Sequence, residues 1–153
     1  MNNLVIFDID GTLYKGQSHS TFTKVLLMNK IIKYKEIIFI GISFGLYHLN
    51  IIKNINNLRN KYYKLIKGLD INLIDNLIAK NFNTFKKNIY KESYSLVQYH
   101  KSKGNVIIAI SASIEPIIKE ICKELSIENY ISTKLEIINN KLTGKIDGIA
   151  VYG

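Results

Sequence analysis

The 153 residues include one proline, one cysteine, one arginine and no tryptophan. The lone Cys122 excludes an internal disulfide framework and fits a cytoplasmic protein, where thiols stay reduced. With Pro116 the sole proline, residues 19–90 lack the strongest helix breaker. Arg59, the only arginine, speaks against nucleic acid as a partner, because base and phosphate recognition draws heavily on bidentate guanidinium contacts. Acids are also scarce: 12 Asp and Glu stand against 21 Lys and Arg, a net charge of +9. That excess accompanies heavy use of isoleucine, lysine and asparagine. It suits an anionic small substrate such as a phosphate ester, or an anionic membrane surface. No apolar run reaches the roughly 20 residues needed to span a bilayer. Leu4-Val5-Ile6-Phe7 is short and closes on an acid, unlike an export signal.

What is present reads as a globular α/β chain. Residues 3–9 form a near-continuous apolar run ending at Asp8 and Asp10, the pattern of a buried parallel strand. Residues 19–90 carry apolar positions at three- and four-residue spacing, as in Leu65, Leu69, Leu73 and Leu77 or Ile74 and Ile78, and predict helices. Breaks are expected near Asn50–Asn54 and Gly68–Asp70. A helix from Glu92 to Lys103 then leads through Gly104-Asn105 into a buried strand, Val106–Ile110, ending at Ser111. Ser113 is expected to cap the next helix, with Glu115 and Pro116 in its first turn. Ile117, Ile118, Ile121, Cys122 and Leu125 share its inner face. Asn129–Ser132 reads as a third strand, and Leu135–Ile138 with Lys141–Ile146 as a hairpin about Asn139-Asn140. Strands joined by helical crossovers predict a parallel, right-handed, Rossmann-like core. Residues 1–18 and 91–153 would form it, with 19–90 inserted as a helical cap.

Residues 37–52 carry no full charge and are rich in Ile, Phe, Gly and Leu. They predict a buried or hairpin helix of the cap. Flanking Lys33, Lys35 and Lys53 keep a second reading open, docking on a membrane surface.

Chemistry concentrates at Asp8-Ile9-Asp10-Gly11-Thr12. Carboxylates two residues apart on an extended backbone project to the same side and repel unless a cation or phosphate chemistry occupies the gap. Gly11 permits close backbone approach to an anion, and Thr12 adds a hydroxyl and an N–H. This segment resembles the DxDGT motif of the haloacid dehalogenase superfamily. Ser111-Ala112-Ser113-Ile114-Glu115-Pro116, Thr133-Lys134-Leu135-Glu136 and Leu142-Thr143-Gly144-Lys145-Ile146-Asp147-Gly148 resemble its phosphoserine-phosphatase-like branch.

The resemblance implies Mg²⁺-dependent phosphomonoester hydrolysis on a small phosphorylated metabolite. Asp8 would be the nucleophile, forming an aspartyl-phosphate, and Asp10 the general acid and base. The Asp8 carboxylate and the Asp10 carbonyl would hold Mg²⁺. Gly11, Thr12, Ser111 and Ala112 would bind the phosphoryl group. Gln17 stands where phosphoserine phosphatases resembling this branch carry an acid for the substrate amine, which weakens phosphoserine as the substrate. His19, near the cap entrance, is expected to face solvent, with substrate contact as the alternative; Cys122 is expected to sit in the core, and Lys145 and Asp147 to stay in the hairpin, away from the site. His48 and His100 lack metal-ligand companions.

The family also carries a third-motif lysine and a GDxxxD-like fourth motif, and Gly153 precedes both. The expectation is an N-terminal portion of a longer phosphatase, with a catalytically inactive, phosphate-binding protein as the alternative. Without the strand that bears the fourth motif, residues 3–9 would expose an apolar edge. Oligomerisation or the C-terminal hairpin would have to cover it.

Overall fold

The computed structural model describes residues 3–49 and 55–148. Along the chain run β1 (Leu4–Asp8), α1 (Ser18–Met28), α2 (Tyr34–His48), α3 (Ile55–Tyr63) and a 3-10 turn (Lys64–Ile66). Then come α4 (Ile71–Lys80), α5 (Phe82–Lys86), α6 (Lys91–Ser102), β2 (Val106–Ile114) and α7 (Glu115–Glu124). The strands β3 (Asn129–Thr133), β4 (Leu135–Ile138) and β5 (Lys141–Ile146) complete the series.

The β-branched and aromatic run at the start gives β1, which pairs in parallel with β2 from Leu4 opposite Val106 to Asp8 opposite Ile110. On the other side of β2 lies β3, also parallel, so the sheet order is β1-β2-β3. Helix α6 packs on β2, and α7 on β2 and β3. This is the expected parallel α/β core. Among the described residues β1 is an edge strand with Leu4 and Ile6 exposed. The hairpin does not pair with that edge, because β4 and β5 form a sheet of their own.

Strand β2 runs past Ser111 to Ile114, with a register irregularity between Ile110 and Ile114. Ser113 therefore lies in the strand and does not cap α7. Ile114 occupies the cap position without a side-chain bond, and Pro116 falls in the first turn as anticipated. Ile117, Ile118, Ile121, Cys122 and Leu125 are all buried. They join Phe22, Val25, Leu26, Ile74, Ile78 and Phe85 in one core, so the helical segment and the sheet share their apolar interior. Each such side chain contributes about 1.5–3 kcal/mol by leaving water.

Between β1 and α6 the described residues fall mainly in helices, as the periodicity indicates. An unanticipated break falls at Asn29-Lys30, where Lys30 takes φ +57°. The break at 68–70 is present: Gly68 has φ +82° and Asp70 caps α4 by accepting the Asn72 N–H at 2.8 Å. The break expected at 50–54 lies outside the described residues. Within α4 it is Ile74 and Ile78 that are fully buried, whereas Leu73 is exposed and Leu77 half-buried. Helix α2 is not buried along its whole length as anticipated, because among its described side chains Ile38, Phe39 and Ile42 are exposed and Ile37 is half-buried. Among the described residues no helix is long and apolar enough to cross a membrane.

Asn139 and Asn140 both take positive φ, +50° and +62°, the turn that an Asn-Asn hairpin requires. The hairpin then docks on the chain after α3. The Gly68 N–H bonds the Leu142 carbonyl at 2.7 Å, the Leu142 N–H bonds Leu69 at 2.9 Å, and the Ile71 N–H bonds Asn140 at 2.9 Å.

Candidate active site

Ile9 points into the core, so its neighbours Asp8 and Asp10 turn to the opposite side at the carboxyl end of β1. The Ile9 carbonyl accepts the N–H groups of Thr12, Leu13 and Tyr14 at 3.2, 3.0 and 2.9 Å. Gly11, at φ +88°, closes this loop by donating to the Tyr14 carbonyl at 2.7 Å. Few other residues adopt that backbone angle without strain. The N–H groups of Gly11 and Thr12 are thus engaged inside the loop.

Asp10 is fixed from two directions. One carboxylate oxygen accepts the Ser18 N–H at 2.6 Å and the other accepts the Ser111 hydroxyl at 3.0 Å. Ser18 is the first residue of α1, where negative charge is favoured by the helix dipole. The Ser111 oxygen also accepts the Ser113 N–H at 3.0 Å, and the Ser18 hydroxyl donates to Ser113 Oγ at 2.7 Å. These bonds tie the start of α1 to the end of β2 through buried serines. Asp8 is exposed; partial burial raises its pKa, the charge of Asp10 adds to the rise, and the Ile9 N–H opposes it.

A cavity of about 520 Å³ opens beside Asp10, Ala112 and Ser113. Gln17, His19, Ser20 and Thr23 line it from the α1 side, Ile37 and Gly41 from α2, and Arg59, Tyr62 and Tyr63 from α3. Among the described residues Asp10 is the one carboxylate in that lining. The Tyr62 hydroxyl shares a 2.7 Å bond with Thr23 and donates to the His19 carbonyl at 3.3 Å. Burial raises the pKa of both tyrosines, that of Tyr63 to about 12. Burial lowers the His19 pKa; the charge of Asp10 opposes this and Arg59 adds to it.

Of the residues singled out from sequence, Asp10 and Ala112 border the cavity, and Ser111 is bonded to Asp10. Asp8 sits opposite Ile110, one residue before Ser111, and with Gly11 and Thr12 lies beside the cavity, outside its lining. His19 does not face open solvent but lines the cavity. His100 packs edge-on against Phe7 and Tyr99. Lys145 and Asp147 stay with the hairpin, where the Asp147 N–H bonds the Lys134 carbonyl at 2.9 Å. Sequence reasoning missed Ser18, Arg59, Tyr62 and Tyr63. Arg59 did carry a signal, being the only arginine in the chain. Among the described residues no three His, Cys, Asp or Glu side chains cluster together.

Solved structures share this architecture. A protein of unknown function from Bordetella pertussis Tohama I superposes with a TM-score of 0.80 at 14% identity, over 98% of this chain and 69% of its own. A probable phosphoserine phosphatase from Vibrio cholerae gives 0.71 at 16% identity, over 99% of this chain and 42% of its own. A phosphoserine phosphatase captured as a phospho-aspartyl intermediate analogue gives 0.62 at 18% identity, over 96% and 63%. The chain therefore spans between about two fifths and seven tenths of these neighbours' lengths. No curated protein sequence matches it. The model of the haloacid dehalogenase-like hydrolases matches residues 5–153, with Asp8 and Asp10 inside the match, and the chain belongs to that family.

Proposed function

We propose that this chain is a Mg²⁺-dependent phosphomonoester hydrolase acting on a small phosphorylated metabolite. The observation that supports this most is the pairing of an exposed Asp8 with an immobilised Asp10 at the mouth of a cavity. Asp8, at the strand end, is free to reach phosphorus and form an aspartyl-phosphate, dividing one hard displacement into two. Asp10, held by Ser18 and Ser111, would hand a proton to the leaving oxygen and later take one from the attacking water. The Thr12 hydroxyl and the Ala112 backbone would contact phosphoryl oxygens, Gly11 would let them approach closely, and the single Ser111 O–H, which is given to Asp10, would act on the phosphoryl group through that carboxylate. We assign 1–18 and 91–153 to the catalytic core and 19–90 to a cap that encloses the leaving group.

The Asp8 carboxylate and the Asp10 carbonyl are the oxygen donors Mg²⁺ prefers, and when bound it would neutralise phosphoryl charge. Two protein oxygens are few, so phosphate and water would complete the coordination. The leaving group is a small organic body without a cationic amine, because Gln17 and Arg59 face the cavity and Asp10 is its one carboxylate among the described residues. A buried, unpaired Cys122 is in keeping with a reducing cytoplasm.

A second reading, phosphate binding without turnover, is favoured by the missing third acid among the described residues. Assay of a chromogenic phosphomonoester with Mg²⁺ separates the two. Hydrolysis that disappears in Asp8→Asn supports the enzyme, and phosphate binding with no release above that variant's background supports the binder.

A further inference from the structure

The charge of this protein is confined to one region. Residues 11–69 hold ten of the 21 basic side chains and one of the 12 acidic ones, Glu36; eleven bases and eleven acids elsewhere cancel. The whole net charge of +9 therefore sits on the segment that contains α1 to α3. Within it Tyr34, Ile38 and Ile42 recur every four residues along α2, and they are 76%, 63% and 59% exposed. Leu49, just past the end of α2, is also exposed. A shallow groove between α2 and the 3-10 turn, lined by Phe39 and Leu65, is edged by Lys35, Lys61, Lys64 and Glu36, with the Lys61 ammonium 5.8 Å from the Phe39 ring centre. Glu36, the one acid nearby, accepts the Lys33 N–H at 2.7 Å and closes the start of the helix.

We propose that this face of α2 docks on an anionic lipid bilayer. An aliphatic stripe bordered by lysines matches the interface in both its parts: the apolar side chains enter the acyl boundary while the ammonium groups meet lipid phosphates. The helix lies on the bilayer and does not cross it, in keeping with its length. Nucleic acid fits less well, because it offers nothing to Ile38 and Ile42, and Arg59 lines the cavity instead of joining the lysine rim. The face is also distinct from the cavity wall. Ile37 and Gly41, one residue before Ile38 and Ile42, border the cavity. The surface goes beyond the hydrolytic reading and does not depend on it.

The test is cosedimentation of the 153-residue chain with vesicles of phosphatidylcholine alone or mixed equally with phosphatidylglycerol. We expect binding to the anionic vesicles only, weakened by salt. It should fall at least about tenfold in the double variant Ile38→Glu, Ile42→Glu, as loss of two buried aliphatic side chains implies. The variant should keep the wild-type circular dichroism and melting temperature, since both side chains face solvent. Lys33→Glu with Lys35→Glu, outside the stripe, should weaken binding as well. No binding to anionic vesicles would overturn the proposal. So would binding that salt abolishes but the isoleucine variant leaves intact, which is unspecific lysine attraction. A wild-type dimer that the double variant converts to monomer, with vesicle binding unchanged, would assign the stripe to a second copy instead.

Discussion

Gly144 offers the sharpest structural test, because it holds the hairpin against the helices that wall the cavity. It has φ +81°, and a Cβ added there would lie 3.1 Å from Lys64 Cα, 3.2 Å from Lys67 Cβ and 3.3 Å from the Tyr63 carbonyl oxygen. Two of those atoms are backbone, which cannot swing aside. Gly144→Ala therefore meets left-handed strain of about 1–2 kcal/mol and overpacking of about 1–3 kcal/mol, offset by about 0.4–1 kcal/mol of lost unfolded-state freedom. The net loss is about 1–4.6 kcal/mol, a fall in Tm on the order of 2–18 °C for a chain of this size. Gly68 supplies the control: its φ is +82° and nothing lies within 4 Å of its added Cβ. Gly68→Ala isolates the backbone strain and should cost only about 1 kcal/mol. Urea and thermal unfolding of both variants measure the difference. If Gly144→Ala is no more destabilising than Gly68→Ala, the close packing of β5 on the end of α3 is wrong.

Ser111→Ala removes a hydrogen bond to a carboxylate, worth about 1.5–3 kcal/mol, and strips the Ser113 N–H of its acceptor. If that energy positions Asp10 for proton transfer, kcat should fall about 10- to 100-fold with KM little changed; an unaltered kcat would refute the role. Glu124 links α7 to α5 and α6 through Lys86 at 2.7 Å and Tyr94 at 3.0 Å, and the Lys86 bond foremost lowers its pKa. A lowered carboxylate pKa stabilises the fold above the unfolded value and loses that contribution as pH falls through the folded one. Glu124→Gln should thus cost up to about 1 kcal/mol at pH 7 and nearly nothing near pH 2, and a pH-independent cost would contradict the ion pair. With so few protein oxygens near Asp8, titration calorimetry of this chain should give Mg²⁺ affinity no better than about millimolar, and micromolar binding would reveal ligands that the site does not show.

The core was legible because its signals are local. An apolar run ending in Asp8, the isoleucines of α7 and Asn139-Asn140 each specify one element by themselves. What escaped depends on contacts between distant segments. Ser113 looks like a helix cap in sequence, yet β2 continues to Ile114 and the Ser18 hydroxyl, 95 residues away, occupies its oxygen. The leucines at 65, 69, 73 and 77 have helical spacing, yet Leu65 falls in the 3-10 turn and Leu69 before α4, and of the two stripes read in α4 it is Ile74 and Ile78 that are fully buried, which spacing alone cannot tell. Helix α2 is apolar nearly all round, a composition that reads as buried, and only the fold shows one side exposed. At the site, Asp8, Asp10, Gly11 and Thr12 announce themselves by spacing. Tyr62, Tyr63 and Arg59 reach the cavity from α3, which no motif marks.

The central claim is that Asp8 takes the phosphoryl group, and trapping it there is the most direct measurement. The chain is mixed with a small phosphomonoester and Mg²⁺, quenched in acid, digested and weighed by mass spectrometry. The account predicts a phosphoryl adduct on the peptide bearing Asp8, absent in Asp8→Asn and retained longer in Asp10→Asn, where the water-activating carboxylate is gone. An adduct on another residue, or labelling of Asp8→Asn equal to the wild type, would contradict it.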